Sequence, residues 1–194
     1  MGHAPTLLSG PVEGGEAQRR ISVHGTSGSG KTTLAARIAA SLGIPAIELD
    51  GLHWQAGWTP VEPGEFRRRV AEVVAEEAWV VDGNYAAVRD LVWERCDVAI
   101  ILDLPRLLTT WRVLRRSLRR GLRREELWNA NRESLRDLVS IDEERNAVLW
   151  SWRSHPRNRS ELSAGAEAAG VPRVVVLRSR AAVTRLVDEL AQTL

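Results

Sequence analysis

The sequence predicts an α/β fold: a parallel, five-stranded sheet with helices on both faces, in three layers. Two observations predict it. Short β-branched runs recur at residues 21–25, 45–49, 78–81, 98–102 and 173–177, and stretches of helical periodicity separate most of them. The last two runs, VAIIL and RVVVL, lack the polar alternation of a half-exposed strand, as expected where both faces are covered.

Residues 1–18 are rich in Gly, Pro, Ser and Glu and read as a disordered leader without the charged start and apolar stretch of a signal peptide. Residues 19–194 are expected to form a single domain. After the first strand, Leu34, Ala35, Ile38, Ala39 and Leu42 make one helical stripe, which Gly43 caps. Phe66, Val70, Val73 and Val74 make another, opened by Pro63. Val183, Leu186, Val187 and Leu190 repeat the period at the end. Between Pro105 and Gly170 helical patterns follow one another without a strand signal, so a helical insertion, about residues 106–160, is expected before the last strand.

A hydrophobic share of 44% and a charged share of 27% are those of an ordinary globular chain. No apolar run approaches the ~20 residues of a membrane span. One cysteine, Cys96, excludes an intramolecular disulfide and suits a reducing compartment, so the cytoplasm is expected. Flanked by Arg95 and Asp97, it is either a reactive thiol or a packed one. A net charge of +2 does not imply a nucleic-acid partner. Of 27 basic residues 26 are arginine, and the one lysine, Lys31, stands inside the most specific motif of the chain.

That motif is Gly25-Thr26-Ser27-Gly28-Ser29-Gly30-Lys31-Thr32, a match to G-x-x-x-x-G-K-[ST] between a strand and an amphipathic helix. Glycines let main-chain N–H groups approach phosphates, and the following helix contributes free donors and a positive dipole end. Lys31 supplies a point charge to the β- and γ-phosphates, and the Thr32 hydroxyl can ligate Mg²⁺. Thr33 is a neighbour of the loop with no assigned role.

Three aspartates, Asp50, Asp82 and Asp103, follow strand ends, where ligands of an open parallel sheet collect. Asp82, in VVDGNY, has the form of an acid that supports Mg²⁺. Asp50, in ELDGLHW, suits a base or an acceptor contact. For each the bland reading is a helix cap or turn former, and for Asp103 that reading suffices. His53, Trp54 and Trp58 are expected in a loop beyond the second strand, placed to stack on a base or ring; His24 reads as a packed histidine.

From Arg106 to Arg124 there are eight arginines. Leu107, Leu108, Trp111, Leu114 and Leu118 form the apolar stripe of that helix, and Arg112, Arg115, Arg116 and Arg119 lie largely off it. A cationic face beside the phosphate loop suits transition-state charge; the other readings are a solvated face and a nucleic-acid surface. Trp128, Trp150 and Trp152 belong either to packing or to a mobile lid that also holds His155, Arg157 and Arg159.

The segments HGTSGSGKTTLA, IPAIELDGLHWQAGW, WVVDGNY, VAIILDLPR and VVVLRSR, in this order, resemble the adenylate kinase-related proteins known as topology-modulation (FlaR-type) proteins, over residues 20–194. The resemblance implies a P-loop nucleoside monophosphate kinase fold, strand order 2-3-1-4-5, a helical lid before the last strand, and ATP with Mg²⁺. It implies Asp82 near the metal, phosphate-contacting arginines at the lid entry, and Arg178 and Ser179 beside the ATP base. The Pro-Arg that adenylate kinases carry in the Asp-Gly motif is absent, and Arg89 is the nearest substitute. The expected function is transfer of the γ-phosphoryl of ATP to a small acceptor, a nucleotide or nucleotide-like molecule first and a non-nucleotide hydroxyl second. Lys31, Asp50, Arg112 and Arg116 are the expected catalytic residues. An ATP-gated regulatory or nucleic-acid-associated protein is the reading from a different class.

Overall fold

A computed structural model describes residues 19–123, 125–140, 142 and 146–191; the leader reading of residues 1–18 lies outside the described residues. Five strands form one parallel sheet: β1 (Arg20–Gly25), β2 (Ala46–Glu48), β3 (Trp79–Asp82), β4 (Val98–Leu102) and β5 (Arg173–Leu177). From one edge to the other they run β2, β3, β1, β4, β5. This is the order implied by the resemblance. It places β1, which leads into the phosphate loop, at the centre.

The helices are α1 (Lys31–Leu42), α2 (Leu49–His53), α3 (Pro63–Ala75), α4 (Arg89–Arg95), α5 (Arg106–Arg123), α6 (Ala147–Ala168) and α7 (Arg180–Ala191). Because strand side chains alternate, β3 and β4 each feed two cores. Val81, Ala99 and Ile101 pack with Phe66, Val70, Trp93 and Leu162 on one face. Val80, Val98 and Ile100 pack with Leu34, Ile38 and Leu186 on the other. Pro63 stands in the first turn of α3, and the Glu62 side chain accepts from Glu65 N at 2.9 Å.

Three expectations are corrected. The segment after β2 is not a loop: α2 leads into a small antiparallel ribbon pairing Trp54–Gln55 with Thr59–Pro60. Trp150 and Trp152 are not core, being 49% and 38% exposed; the buried Ser151 and His155 take the inward positions of α6. The apolar row of α5 faces outward, and the buried positions are Thr109, Val113 and Ser117. At Thr109 and Val113 the physical cause is crowding: α5 runs so close to Gly28 of the phosphate loop that a Cβ on that glycine would clash with both.

Helix α6 contains Pro156, which has no N–H to give the carbonyl four residues earlier. Arg106 Nε donates to that carbonyl, Trp152 O, at 2.9 Å, and its guanidinium lies 3.7 Å from the centre of the Trp152 ring. The start of α5 is thereby fastened to α6.

At the opposite end of the sheet Asp97 accepts from Arg19 N (3.1 Å), Arg20 N (2.9 Å) and Arg20 Nη2 (2.7 Å). Burial pushes its carboxyl up, but the Arg20 bonds and the main-chain donors outweigh it and hold it below the usual range. A depressed carboxyl contributes stability above its unfolded pKa and loses it as pH falls through the folded one. Asp97→Asn is therefore expected to lower urea-unfolding stability by about 1–2 kcal/mol at pH 7, with the gap from wild type closing as pH falls below about 4.

Candidate functional site

β1 ends in the loop Gly25–Thr32, and α1 starts within it at Lys31. Ser29 N donates to Thr26 O at 3.1 Å, closing the turn. The first turn of α1 has neither an acidic residue nor a side-chain cap, so its N–H groups and positive dipole end are left to an anion. The carbonyls of the loop are held from the other side. Ser151 Oγ donates to Ser27 O at 3.2 Å, and Arg112 donates to Gly28 O and Ser29 O at 3.4 Å each. Gly28, at φ 78, lets α5 approach: a Cβ there would lie 2.3 Å from Thr109 O and 2.8 Å from Val113 Cγ2. The Lys31 ammonium donates to Thr26 O at 3.3 Å.

At the carboxyl end of β3 the Thr32 hydroxyl donates to Asp82 Oδ2. Asp82 Oδ1 is buried and has no hydrogen-bond partner among the described residues. Burial pushes this carboxyl up, Lys31 and the Thr32 bond oppose the shift, and the Asp50 charge adds to it. A hydroxyl and a carboxylate with one orphaned oxygen are hard oxygen donors. They fit Mg²⁺, which binds through few protein ligands and completes its shell with water and phosphate. Gly83 follows, and its carbonyl accepts from His24 Nδ1 at 2.9 Å, while Trp93 Nε1 donates to His24 Nε2 at 2.9 Å. Burial drives the His24 pKa down to about 3, so the imidazole is neutral: a packed histidine, as expected, here bracing the turn after Asp82.

Asp50 lies in α2, and the Tyr85 hydroxyl donates to its Oδ1 at 2.5 Å. Burial and the Asp50 charge push the Tyr85 hydroxyl far above its ordinary range, which keeps it a donor. Glu48 accepts from Trp128 Nε1 at 3.0 Å, and burial raises its carboxyl. Burial and the neighbouring Arg120 charge push the Arg116 guanidinium below its ordinary range, Glu133 and Asp50 oppose that shift, and its Nε is buried without a hydrogen-bond partner among the described residues. Arg120 donates to Glu133 Oε1 at 2.7 Å. Arg89 donates to Asn84 Oδ1 at 3.1 Å and lies 5.3 Å from the Trp93 ring. His53 packs against Trp54, Phe66 and Tyr85 with ring centres 4.6–4.8 Å apart. The segment after α5 covers this end of the site: Asn131 donates to Gln55 O and accepts from Trp58 N, both at 2.8 Å, and Trp58 Nε1 donates to Arg132 O at 3.1 Å.

The structure thus brings Lys31, Thr32, Asp82, Asp50, Arg112 and Arg116 to one end of the sheet. Thr33 is exposed on α1. Arg178 does not join them by a contact: its side chain is 72% exposed and lies 3.5 Å from Asp103 Oδ2, so both residues of that pair are engaged with each other. Arg115 and Arg119 face outward. Cys96 is buried, and burial lifts its thiol to about 11, which makes it a packed cysteine. Sequence reasoning missed Glu48, Tyr85 and Ser151, and placed Trp128 and Arg120 only generally. Glu48 lies two residues before Asp50 and Tyr85 closes the DGNY segment, the only signals available; Ser151 offered none.

A family model for the ATPase family associated with various cellular activities (AAA) matches residues 21–81, from β1 through the phosphate loop to β3. No curated protein matches the chain in sequence. Solved structures match over nearly the whole length. A shikimate kinase from Acinetobacter baumannii in complex with shikimate is 19% identical, with a TM-score of 0.53, covering 94% of this chain and 96% of that one. A gluconokinase from Sinorhizobium meliloti 1021 is 18% identical, with a TM-score of 0.51, covering 91% and 93%. A shikimate kinase from Bacteroides thetaiotaomicron is 17% identical, with a TM-score of 0.50, covering 90% and 97%. The chain has the P-loop kinase fold.

In that fold the contact between Gly28 and α5 is the most sensitive point of the phosphate loop. Gly28→Ala would drive a methyl group into the Thr109 carbonyl from a left-handed backbone that already costs an L-residue about 1–2 kcal/mol. The variant is expected to melt at lower temperature, and the affinity of the loop for a nucleoside triphosphate, titrated by calorimetry, to fall at least about tenfold relative to wild type.

Proposed function

We propose that the protein is an ATP-dependent kinase that transfers the γ-phosphoryl group to a hydroxyl of a small acceptor. The observation that carries this reading is the Tyr85–Asp50 bond. It occupies Oδ1 of Asp50 and leaves Oδ2 to accept from an acceptor hydroxyl. A hydroxyl must lose a proton as it attacks phosphorus, whereas an ionised phosphate acceptor need not.

In this mechanism the loop amides and Lys31 hold the β- and γ-phosphates, and Arg112, fixed on Gly28 and Ser29, stands beside them. Asp50 accepts the hydroxyl proton while the oxygen forms its bond to the γ-phosphorus. The bond from that phosphorus to the bridging oxygen breaks, and its electron pair stays on the β-phosphate of the departing ADP. Arg116 offsets charge on the transferred group. Thr32 and Asp82 would hold Mg²⁺, whose chemistry when bound is to neutralise phosphate charge. Tyr85 keeps the Asp50 carboxylate oriented, and Trp128, bonded to Glu48, helps cover the acceptor end and exclude water.

The fold similarity to kinases whose names specify gluconate, sugar and shikimate supports a hydroxyl acceptor. The alternative is a nucleotide acceptor, with membership of the topology-modulation proteins; the half-buried Trp54 offers a ring on which a base could stack. Trp58, the other expected stacking ring, has its indole N–H and its main chain engaged with the lid segment.

Asp50→Asn is expected to lower kcat by about 10²–10⁴-fold and leave the KM for ATP within about threefold, in a coupled ADP-release assay with a hydroxyl-acceptor panel. Tyr85→Phe should follow with a smaller loss. Full turnover by Asp50→Asn, or transfer confined to nucleoside monophosphates, would overturn the hydroxyl reading.

A further inference from the structure

Helix α5 turns its most apolar row to solvent. Leu107, Trp111, Leu114, Leu118 and Leu122 are 74%, 57%, 38%, 42% and 73% exposed, while Thr109, Val113 and Ser117 on the opposite side are buried. A surface helix normally shows the reverse. The row advances in steps of three and four, the spacing of a helix-packing seam. Trp150 and Trp152 on α6, which packs beside α5, are exposed as well. These side chains together expose on the order of 700 Å². That exceeds the patch of about 300–600 Å² usual on a monomer and approaches the ~800 Å² each partner buries in a stable interface.

We propose that a second copy of this chain covers the row, with α5 packed antiparallel on the same helix of the partner about a two-fold axis near Leu114. An isologous interface requires a surface complementary to itself. The row meets that requirement. Reversed about the midpoint of Leu114 and Arg115, it sets Leu107 against the partner's Leu122 and Trp111 against the partner's Leu118. The antiparallel arrangement also opposes the two helix dipoles.

The arginines of α5 do not prevent this pairing. Arg112 and Arg120 are engaged inward, and Arg116 lies on the same inner side. On the outer side Arg119 is paired with Glu125 at 3.5 Å, and Arg115 lies 5.6 Å from the centre of the Trp111 ring. Their stems extend the apolar seam while the guanidinium groups reach its wet margin. A nucleic-acid partner would leave five large apolar side chains against a phosphate backbone, which argues against that use of the face. Since the inner side of α5 carries Arg112 to the phosphate loop, the partner would clamp the helix that completes the site. The interface itself does not depend on the catalytic reading.

The full chain is expected to sediment as a dimer at about 50 μM. Trp111→Glu combined with Leu118→Glu should convert it to a monomer with a circular-dichroism melting curve close to wild type. Leu114→Cys should cross-link into a covalent dimer on mild oxidation, since Cys96 is buried. A wild-type monomer at that concentration would overturn the proposal, as would a dimer that survives the double substitution. So would Trp111-dependent sedimentation of a monomeric protein with phosphatidylglycerol vesicles, which would assign the face to a lipid surface.

Discussion

The contact between the phosphate loop and α5 governs much of this molecule. Gly28 brings the loop against the main chain of α5 at Thr109, closer than any side chain would permit. From that approach follow the small buried residues Thr109 and Val113, the placement of Arg112 on the loop carbonyls, and the exposure of the leucine row on the far side. One helix therefore completes the anion cradle with one side and leaves an unburied seam on the other. The two properties share a single steric cause.

Charge at the site is organised by burial. Asp82 is kept in a low-dielectric position beside Lys31, with one oxygen taken by Thr32 and the other without a partner among the described residues. Such a group is costly as an isolated anion and becomes favourable when a cation shares it. Asp50 is held differently, by a tyrosine whose hydroxyl burial prevents from ionising. Two carboxylates at neighbouring strand ends thus acquire distinct environments, one buried beside a cation and one bonded to a tyrosine, which is what the proposed division between a metal holder and a proton acceptor requires. His24, neutral and bonded on both ring nitrogens, braces the turn after Asp82 without taking part in charge.

The insertion before β5 is tied to the sheet at several points. Arg106 compensates the carbonyl freed by Pro156, Ser151 reaches Ser27, and His155 bonds to Leu104 O at 2.8 Å. At the acceptor end Asn131 joins the short ribbon to the segment after α5. These are side-chain bonds to backbone groups that regular structure leaves over, and they fix both α6 and the short segment between α5 and α6 in a definite place.

The strands, most of the helices and the phosphate loop were legible in the chain itself, because each rests on local periodicity or on a contiguous motif. Asp50 and Asp82 were legible for a related reason: they follow apolar runs whose ends must lie on one edge of a parallel sheet. Tyr85, Glu48 and Trp128 acquire their roles through partners 35 to 80 positions away, and no local pattern encodes such distances. The same holds for the face α5 presents. Its amino acids dictate an amphipathic helix with a leucine row on one side and arginines off that row. Which side meets the protein was decided only by tertiary packing, where the close approach of Gly28 admits the small Thr109 and Val113 against the phosphate loop.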